Sequence, residues 1–339
     1  MRRYGLMALA IVVVASVAMA VVGGTGHAAR KATVKIAVVT DIGGLNDRSF
    51  NHLANLGRLE AQSKLHIPTR IYVTQSAAQR LTNLQAAAQA GYQLVFATGF
   101  SQFDALGKVS FAFPKTDFAG IDVPNSIVAG HPQNVKGLVF HEEQAGYLVG
   151  YIAGLTVKRQ GGKQVIGAVG ANNVPAIVHY MAGYQAGGIA ADPALKGHVL
   201  LQFANDPTFN DQAKCKVTAT NEIGQGAQVI FQVAGGCGLG ALDAAKRAHI
   251  WGIGVDADQA YLGPHILTSA LKGVDIALFK TAQAFVKNPA SFKGGPGYDE
   301  YFPVAVGTIS KKVPASDLAK FKAIQAQVLS GKIKVPSAF

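Results

Sequence analysis

The chain has 339 residues, 49% of them apolar, and its 31 basic and 19 acidic residues give a formal net charge of +12. This length accommodates two domains of ordinary size with substantial cores. The basic residues are scattered without a long run, and no nucleic-acid-binding module is recognisable, so nucleic acid is not expected as a partner.

The first 28 residues have the order of a secretory signal. Arg2 and Arg3 come first, an uncharged and mostly apolar stretch follows over 4–22, and mostly small residues continue to position 28. An uncleaved anchor is the alternative, because the apolar stretch approaches the roughly 20 residues that span a bilayer. No cysteine precedes Cys215, so a cleavage-site cysteine for lipid attachment is missing. We predict an exported protein, periplasmic or at the cell surface, that is either soluble or anchored by this segment.

Beyond the export segment, apolar runs alternate with helical patterns. Strands are predicted over 34–39, 70–73, 94–97, 117–121, 135–140, 165–169, 198–203, 228–233, 250–255 and 266–270. Helices are predicted over 49–64, 77–90, 143–157, 175–191, 210–222, 239–248 and 274–287. This alternation is typical of doubly wound parallel sheets. Because more than about ten strands are unwieldy in one twisted sheet, we predict an α/β fold with two lobes.

Loops rich in turn residues are the candidates for the crossings between the lobes. The loop 123–134, with two Pro, one Gly and two Asn, is the best candidate, and 252–259 and 294–298 follow. The predicted N-terminal lobe then comprises 33–123 plus 256–297, and the C-terminal lobe 124–255 plus 298–339. Several crossings make a hinge, and a hinge between α/β lobes predicts a cleft that closes.

The most informative stretch is 40–51, Thr-Asp-Ile-Gly-Gly-Leu-Asn-Asp-Arg-Ser-Phe-Asn, directly after the first strand. It supplies the carboxylates of Asp41 and Asp47, the carboxamide of Asn46 and the ring of Phe50. In open α/β sheets, ligands bind in the crevice beyond the carboxyl ends of the strands. The alternative is an ordinary turn in which Asp47 or Ser49 only caps the following helix.

Polar or flexible residues also follow the later strands. Asp122 follows the strand 117–121, Gly235 follows 228–233, and Asp256 ends the strand at 250–255. The segment 205–211, which contains Phe209, follows another strand end. Taken singly, each Asp is as readily a turn former as a ligand, whereas Phe50 and Phe209 are better interpreted as core residues.

The motif at 40–51 resembles the signature of the basic membrane protein family, and the likeness continues through the later strand ends. Members of this family are purine-nucleoside-binding receptors of ABC importers and relatives of the type I periplasmic binding proteins. The resemblance implies that fold, with two lobes joined by a hinge, and a monomer that serves a membrane permease. It implies no catalytic residue, no cofactor and no metal.

The resemblance also implies roles for individual residues. Phe50 and Phe209 would stack on the two faces of a purine, and Asp41, Asn46 and Asp47 would bond its edge. Asp122 would reach the cleft, Asp256 would accept from ribose hydroxyls, Gly235 would allow close approach, and Lys272 would donate. Without the family, Lys272 is interpreted as a solvated surface charge. The stretch 173–179 departs from the family by lacking charged side chains at the start of a helix.

Cys215 and Cys237 are the two cysteines of the chain. Both are predicted near the same edge of one sheet, and export permits a disulfide between them. Two free thiols are the alternative.

Competing functions are weighed against the receptor. A nucleoside hydrolase would need a metal or an activated water, and the chain has neither a Gly-x-Ser-x-Gly nor a His-Glu-x-x-His motif. His141-Glu142-Glu143 suggests a metal, but acids at a helix start are better interpreted as favouring its N-terminus, and His179 receives no role.

A sugar-binding receptor and a ligand sensor share the fold. Four Asp in one cleft and no Walker loop favour a nucleoside over a nucleotide.

Overall fold

Two six-stranded sheets organise residues 34–339, the part of the chain described by the structure, a computed structural model. The first sheet has the order β11-β5-β4-β3-β1-β2 and is parallel throughout. Its strands are β1 (Ile36–Val39), β2 (Thr69–Tyr72), β3 (Leu94–Thr98), β4 (Asp117–Ile121), β5 (Val135–Phe140) and β11 (Glu300–Phe302). The predicted export segment, 1–28, lies outside the described residues.

The second sheet has the order β12-β10-β9-β8-β6-β7, with β12 antiparallel to β10. Its strands are β6 (Val165–Gly170), β7 (Val199–Phe203), β8 (Ala227–Val233), β9 (Trp251–Asp256), β10 (Ile266–Lys272) and β12 (Val304–Val306). The α/β fold with two parallel-sheet lobes is therefore confirmed.

Helices cover the faces of both sheets. They are α1 (Phe50–Leu65), α2 (Ala77–Gln89), α3 (Phe103–Ala112), α4 (Glu142–Gln160), α5 (Pro175–Ala191), α6 (Gln212–Gln225), α7 (Gly238–Arg247), α8 (Val274–Lys287) and α9 (Ala315–Leu329). Because helices cover both faces, central strands such as β1 and β3 are buried at every position. Among the described residues, no helix is both long and apolar enough to cross a membrane.

The chain passes between the two sheets at places other than those predicted. It leaves the first sheet between β5 and α4, returns between β10 and α8, and leaves again between β11 and β12, because α4 packs on α5 whereas α8 packs on α1. The lobes therefore comprise 34–140 plus 274–302 and 142–272 plus 304–339. The predicted boundaries, 33–123 plus 256–297 and 124–255 plus 298–339, were wrong at each crossing.

The reason for this error is that turn residues do not mark a change of sheet. The loop 123–134 joins β4 to its neighbour β5, and the loop after β9 leads to its neighbour β10. Proline and glycine terminate a strand or turn the chain wherever it goes next. The real crossings are single residues, namely His141 between β5 and α4, Gly273 between β10 and α8 and Pro303 between β11 and β12, so no long loop marks them.

Helices α4 and α5 pack unusually close together through glycines. An added Cβ would lie 2.1 Å from the carbonyl oxygen of Tyr180 at Gly146, and 2.1 Å from that of Tyr184 at Gly150. On α5, an added Cβ at Gly183 or Gly187 would lie 2.0 Å from a carbonyl oxygen of α4. Glycine therefore brings two backbones into direct contact, and this contact fixes where α5 lies relative to the start of α4.

A buried carboxyl group in the second lobe gives a pH-dependent prediction. Glu222 on α6 is 0% exposed, and neither of its carboxyl oxygens has a hydrogen-bond partner among the described residues. Burial raises the pKa of Glu222 to about 9. Since the pKa of Glu222 is raised in the folded state, the stability that its protonated carboxyl contributes is fully present below the ordinary pKa of 4.5. This contribution is lost as the pH rises towards 9.

We expect Glu222→Gln to raise the free energy of unfolding at pH 8 by about 1–3 kcal/mol, because the amide never has to be protonated. The gain should vanish near pH 4.5, where the wild-type carboxyl is neutral in both states. Urea denaturation at the two pH values measures the difference, with Glu300→Gln, at an exposed residue, as the control. An equal effect of Glu222→Gln at both values would contradict the assignment of a protonated Glu222.

Candidate functional site

A cavity of about 90 Å³ lies between the lobes, at the carboxyl ends of the strands of both sheets. It is lined by predicted residues from both lobes, namely Asp41, Asp47, Phe50, Asp122, Phe209, Gly235, Asp256 and Lys272. Of the predicted set, Asn46 alone does not line it and is exposed. The structure thus brings together residues more than 200 positions apart in the sequence, as the rule for open α/β sheets leads one to expect.

The lobes touch each other around this cavity. The Ser49 hydroxyl of the first lobe donates to Asp256 Oδ2 of the second at 2.6 Å, and Lys272 Nζ of the second donates to Asp122 Oδ2 of the first at 2.6 Å. Hydrogen bonds between buried groups form only when the lobes are together. The structure therefore represents the closed arrangement of the cleft.

Asp47 has a structural role within the site. Its carboxylate accepts the backbone N–H groups of Ser49, Asn51 and His52 at 2.8–3.1 Å, which caps the start of α1. Burial raises the pKa of Asp47, and these three hydrogen bonds oppose that rise. The capping alternative considered from the sequence therefore describes the contacts of Asp47, although the residue also lines the cavity.

Asn51 takes the place expected for Asn46. It is 3% exposed, lines the cavity, accepts the N–H of Asp41 at 3.0 Å and donates to the carbonyl of Ile42 at 3.3 Å. Asn46 and Asn51 belong to the same motif. The motif therefore indicated that an amide side chain lines the cavity, but not which of the two asparagines supplies it. In the closed arrangement, Asn51 holds the turn that carries Asp41.

Asp41 is paired with an arginine that the sequence reasoning missed. Arg80 on α2 places its Nη2 and Nε atoms 2.8 Å from Asp41 Oδ1, and the N–H of Ile42 donates to the same oxygen at 2.8 Å. Burial raises the pKa of Asp41, while the charge of Arg80 opposes the rise. The Oδ1 atom is therefore fully engaged.

Lys272 lies at the centre of a buried charge cluster and is not a solvated surface residue. Its side chain is 2% exposed, and its Nζ lies 2.6 Å from Asp122 Oδ2 and 2.8 Å from Glu142 Oε1. Burial alone would lower the pKa of Lys272, but the charges of Asp122, Glu142 and Asp256 outweigh it and raise the pKa. Burial raises the pKa of Asp122 to about 7, against the opposing charge of Lys272.

Glu142 and His179 belong to this cluster, although the sequence reasoning gave Glu142 only a helix-terminal role and His179 none. Glu142 opens α4, as expected, and its Oε2 lies 3.3 Å from His179 Nδ1. Burial works against the charged form of Glu142, but Lys272 and His179 outweigh it and lower the pKa. Donor atoms of Glu142, Glu143 and His179 lie within 4.8 Å of one another, yet the adjacent Lys272 ammonium would repel a cation there.

The two phenylalanines line the cavity from opposite lobes. Phe50 opens α1 in the first lobe, and Phe209 lies in the loop between β7 and α6 of the second. Phe209 has a left-handed backbone with φ of 56°, and so does Gly235, with φ of 56°. The N–H of Cys237 donates to the Phe209 carbonyl at 3.0 Å, and Cys237 forms a disulfide with Cys215. These contacts fix the loop that presents Phe209.

The start of α5 adds an apolar wall. Val174, Ala176 and Ile177 line the cavity within the stretch 173–179, which lacks charged side chains. Tyr180, one position further along the helix from His179, also lines the cavity. Polar groups of the site are therefore concentrated on the strand ends, while α5 contributes mainly carbon atoms.

Two α/β lobes closed over a cavity with aromatic and acidic walls define a ligand-binding protein of the periplasmic binding type. The family model for the ABC transporter substrate-binding proteins described as PnrA-like, the Bmp family, matches residues 34–300. The chain belongs to this family.

Known relatives agree over nearly the full length. The chain is 31% identical to the ABC transporter nucleoside-binding protein BmpA of Lactococcus lactis subsp. cremoris, covering 91% of this chain and 90% of the relative. It is 32% identical to the CD4+ T-cell-stimulating antigen of Listeria monocytogenes, covering 89% and 87% respectively. Among solved structures, an ABC transporter solute-binding protein from Aeropyrum pernix K1 superposes with a TM-score of 0.78 at 24% identity, covering 90% and 93%.

Proposed function

We propose that this substrate-binding protein captures a purine nucleoside in the interlobe cavity. The observation that carries the proposal is the pair Phe50 and Phe209, which line the same cavity from opposite lobes. A planar base between two rings is held on both faces, and stacking of this kind is worth on the order of 1–3 kcal/mol per base. Closure of the lobes would complete the stack, so ligand binding would favour the closed state.

The charge of the cavity supports a neutral ligand. Asp122, Glu142 and Asp256 surround the single ammonium of Lys272, and Asp41 is already paired with Arg80. An added phosphate would meet an excess of buried carboxylate, and like charges at close range in a poorly solvated site repel strongly. Carboxylates instead suit the hydroxyl and ring N–H donors of a nucleoside.

The family adds support without fixing the ligand. The Lactococcus relative is named as a nucleoside-binding protein. More distant structures of the same fold include a glucose-galactose binding protein at 12% identity, a level at which only the fold is shared. A sugar-binding receptor is therefore the alternative that an experiment must separate from the nucleoside receptor.

The proposed role in transport follows from the family. The protein would be exported through the segment 1–28, act as a monomer, and present its closed, loaded form to the permease of an ABC importer. It would return the ligand unchanged, because a receptor has no reaction to perform. Guanosine incubated with the protein and recovered by chromatography should be intact, whereas release of free guanine would indicate a nucleoside hydrolase.

Isothermal titration calorimetry of the purified protein with six compounds tests the proposal. We expect guanosine, inosine or adenosine to bind tightly, and cytidine to bind more weakly because its single ring stacks over less area. Guanosine monophosphate and free ribose should not bind. Binding of ribose with silence from every nucleoside would reject the purine and favour a sugar receptor.

A further inference from the structure

Tyr180 is a buried residue of the cavity to which no role has been given. It lies on α5, it lines the cavity, and it is 2% exposed. Its hydroxyl has no hydrogen-bond partner among the described residues. Buried hydroxyl groups in folded proteins are nearly always hydrogen-bonded, since an unmet buried polar group is costly. A cavity-lining phenol without a protein partner points to a partner in the ligand.

The surroundings of Tyr180 keep its hydroxyl protonated. Burial, followed by the charges of Asp256, Glu142 and Asp122, raises the pKa of Tyr180 well above its ordinary value. The ring centroid lies 5.9 Å from Lys272 Nζ, which places Tyr180 beside the charge cluster. A protonated phenol can donate one hydrogen bond.

The opposite lobe supplies a matching acceptor. Asp122 Oδ2 accepts from Lys272, but Asp122 Oδ1 is buried and has no hydrogen-bond partner in the described part of the chain. Asp122 lines the same cavity from the first lobe. A hydroxyl group is the ligand chemistry that meets both needs, because its oxygen accepts from a phenol while its hydrogen is donated to a carboxylate.

We propose that Tyr180 is a specificity residue that donates a hydrogen bond to a sugar hydroxyl of the ligand, and that this hydroxyl donates in turn to Asp122 Oδ1. The inference rests on the proposed function and adds to it the part of the nucleoside that is read. A donor on one lobe and an acceptor on the other are bridged only when the cleft is closed. The bridge therefore stabilises the closed state with a bound ribonucleoside more than the closed state with the matching deoxynucleoside.

Tyr180→Phe tests this inference, because it removes the hydroxyl and keeps the ring. Calorimetry would use guanosine and its 2′-, 3′- and 5′-deoxy analogues with the wild type and the variant. We expect the wild type to bind one of the analogues about tenfold or more weakly than guanosine. Tyr180→Phe should weaken guanosine binding by roughly tenfold. It should also reduce the ratio of affinities between guanosine and that same analogue, which is the signature of a direct contact, without abolishing it, because the bond from the sugar hydroxyl to Asp122 remains.

Tyr184→Phe is the matched control. Tyr184 lies one turn further along α5, and its buried hydroxyl also has no hydrogen-bond partner among the described residues. Its ring centroid lies 5.1 Å from that of Phe231, and the residue does not line the cavity. It should leave all four affinities unchanged. Wild-type-like affinities in Tyr180→Phe, or an equal loss in Tyr184→Phe, would overturn the inference alone. No binding of any purine nucleoside by the wild type would refute both the inference and the proposed function.

Discussion

Replacing Lys272 with methionine is expected to lower the free energy of unfolding by about 3 kcal/mol or more at pH 8. Lys272 is 2% exposed and contacts the carboxylates of Asp122 and Glu142 at 2.6 and 2.8 Å. Methionine keeps much of the volume among the surrounding rings but removes the cation. The carboxylates would then remain buried without their positive partner, and such uncompensated charge is far more costly than an absent pair.

The loss is expected to shrink in acid. In the wild type the pKa of Lys272 is raised above 10.5, so its contribution is fully present below that value and is lost only as the pH rises through the folded-state pKa. In the variant, burial without a cation would raise the pKa values of Asp122 and Glu142 above those in the wild type. Their contribution is then present below about pH 4 and lost as the pH rises, so the variant should recover between pH 8 and pH 5.

Urea denaturation at pH 5 and pH 8 measures both effects. Lys280→Met, at an exposed position of α8, removes the same charge from the same chain and should change stability by less than about 0.5 kcal/mol. If Lys272→Met matched that control at pH 8, the cluster would not be a stabilising ion network.

Replacing Gly150 with alanine is expected to destabilise the protein by about 3 kcal/mol, because the methyl group has no space. An added Cβ would lie 2.1 Å from the carbonyl oxygen of Tyr184. A backbone carbonyl cannot relieve this clash by changing rotamer, as a side chain can. Helices α4 and α5 would have to separate. Since α5 carries Tyr180 and α4 begins at Glu142, the separation would also disturb the cavity.

Gly224→Ala is the control for this substitution. Gly224 lies near the end of α6, and an added Cβ there meets no atom within 4 Å. Alanine should therefore be neutral or stabilising by up to about 1 kcal/mol, because it favours the helix. Thermal unfolding of the two variants gives the comparison, and a Gly150→Ala midpoint equal to the wild type would show that the helices are not in backbone contact.

Most of the secondary structure could be predicted from the sequence because buried parallel strands are continuous apolar runs. The pattern predicted strands at 94–97 and 117–121, where β3 and β4 are found. It missed β11 and β12, which have three residues each at the sheet edges, and it gave no helix range for α3 or α9. Short edge strands are defined by the strands they pair with more than by their own residues. The crossings between the lobes were mispredicted for the same reason, because the packing of neighbouring elements decides where the chain changes sheet.

Site residues were predicted most accurately where they directly follow a strand. Asp122 and Asp256 end up in the cavity because their strands end there, and both have left-handed backbones with φ of 62° and 61°. Glu142, Tyr180 and Arg80 were missed because they lie on helices. Whether a helical side chain faces the cavity depends on how α4 packs against α5, and α2 against its sheet, which local sequence does not reveal.

A paired titration of guanosine into the wild-type protein and into Phe50→Ala would show most directly whether the interlobe cavity is a nucleoside site. Tight binding by the wild type and a loss of roughly 10- to 100-fold in the variant is the expected result, since a stacked ring contributes on the order of 1–3 kcal/mol. Phe111→Ala, at a residue 60% exposed and away from the cavity lining, should bind as the wild type does. Equal affinity in the wild type and Phe50→Ala, or no purine nucleoside binding by the wild type, would contradict the proposed site.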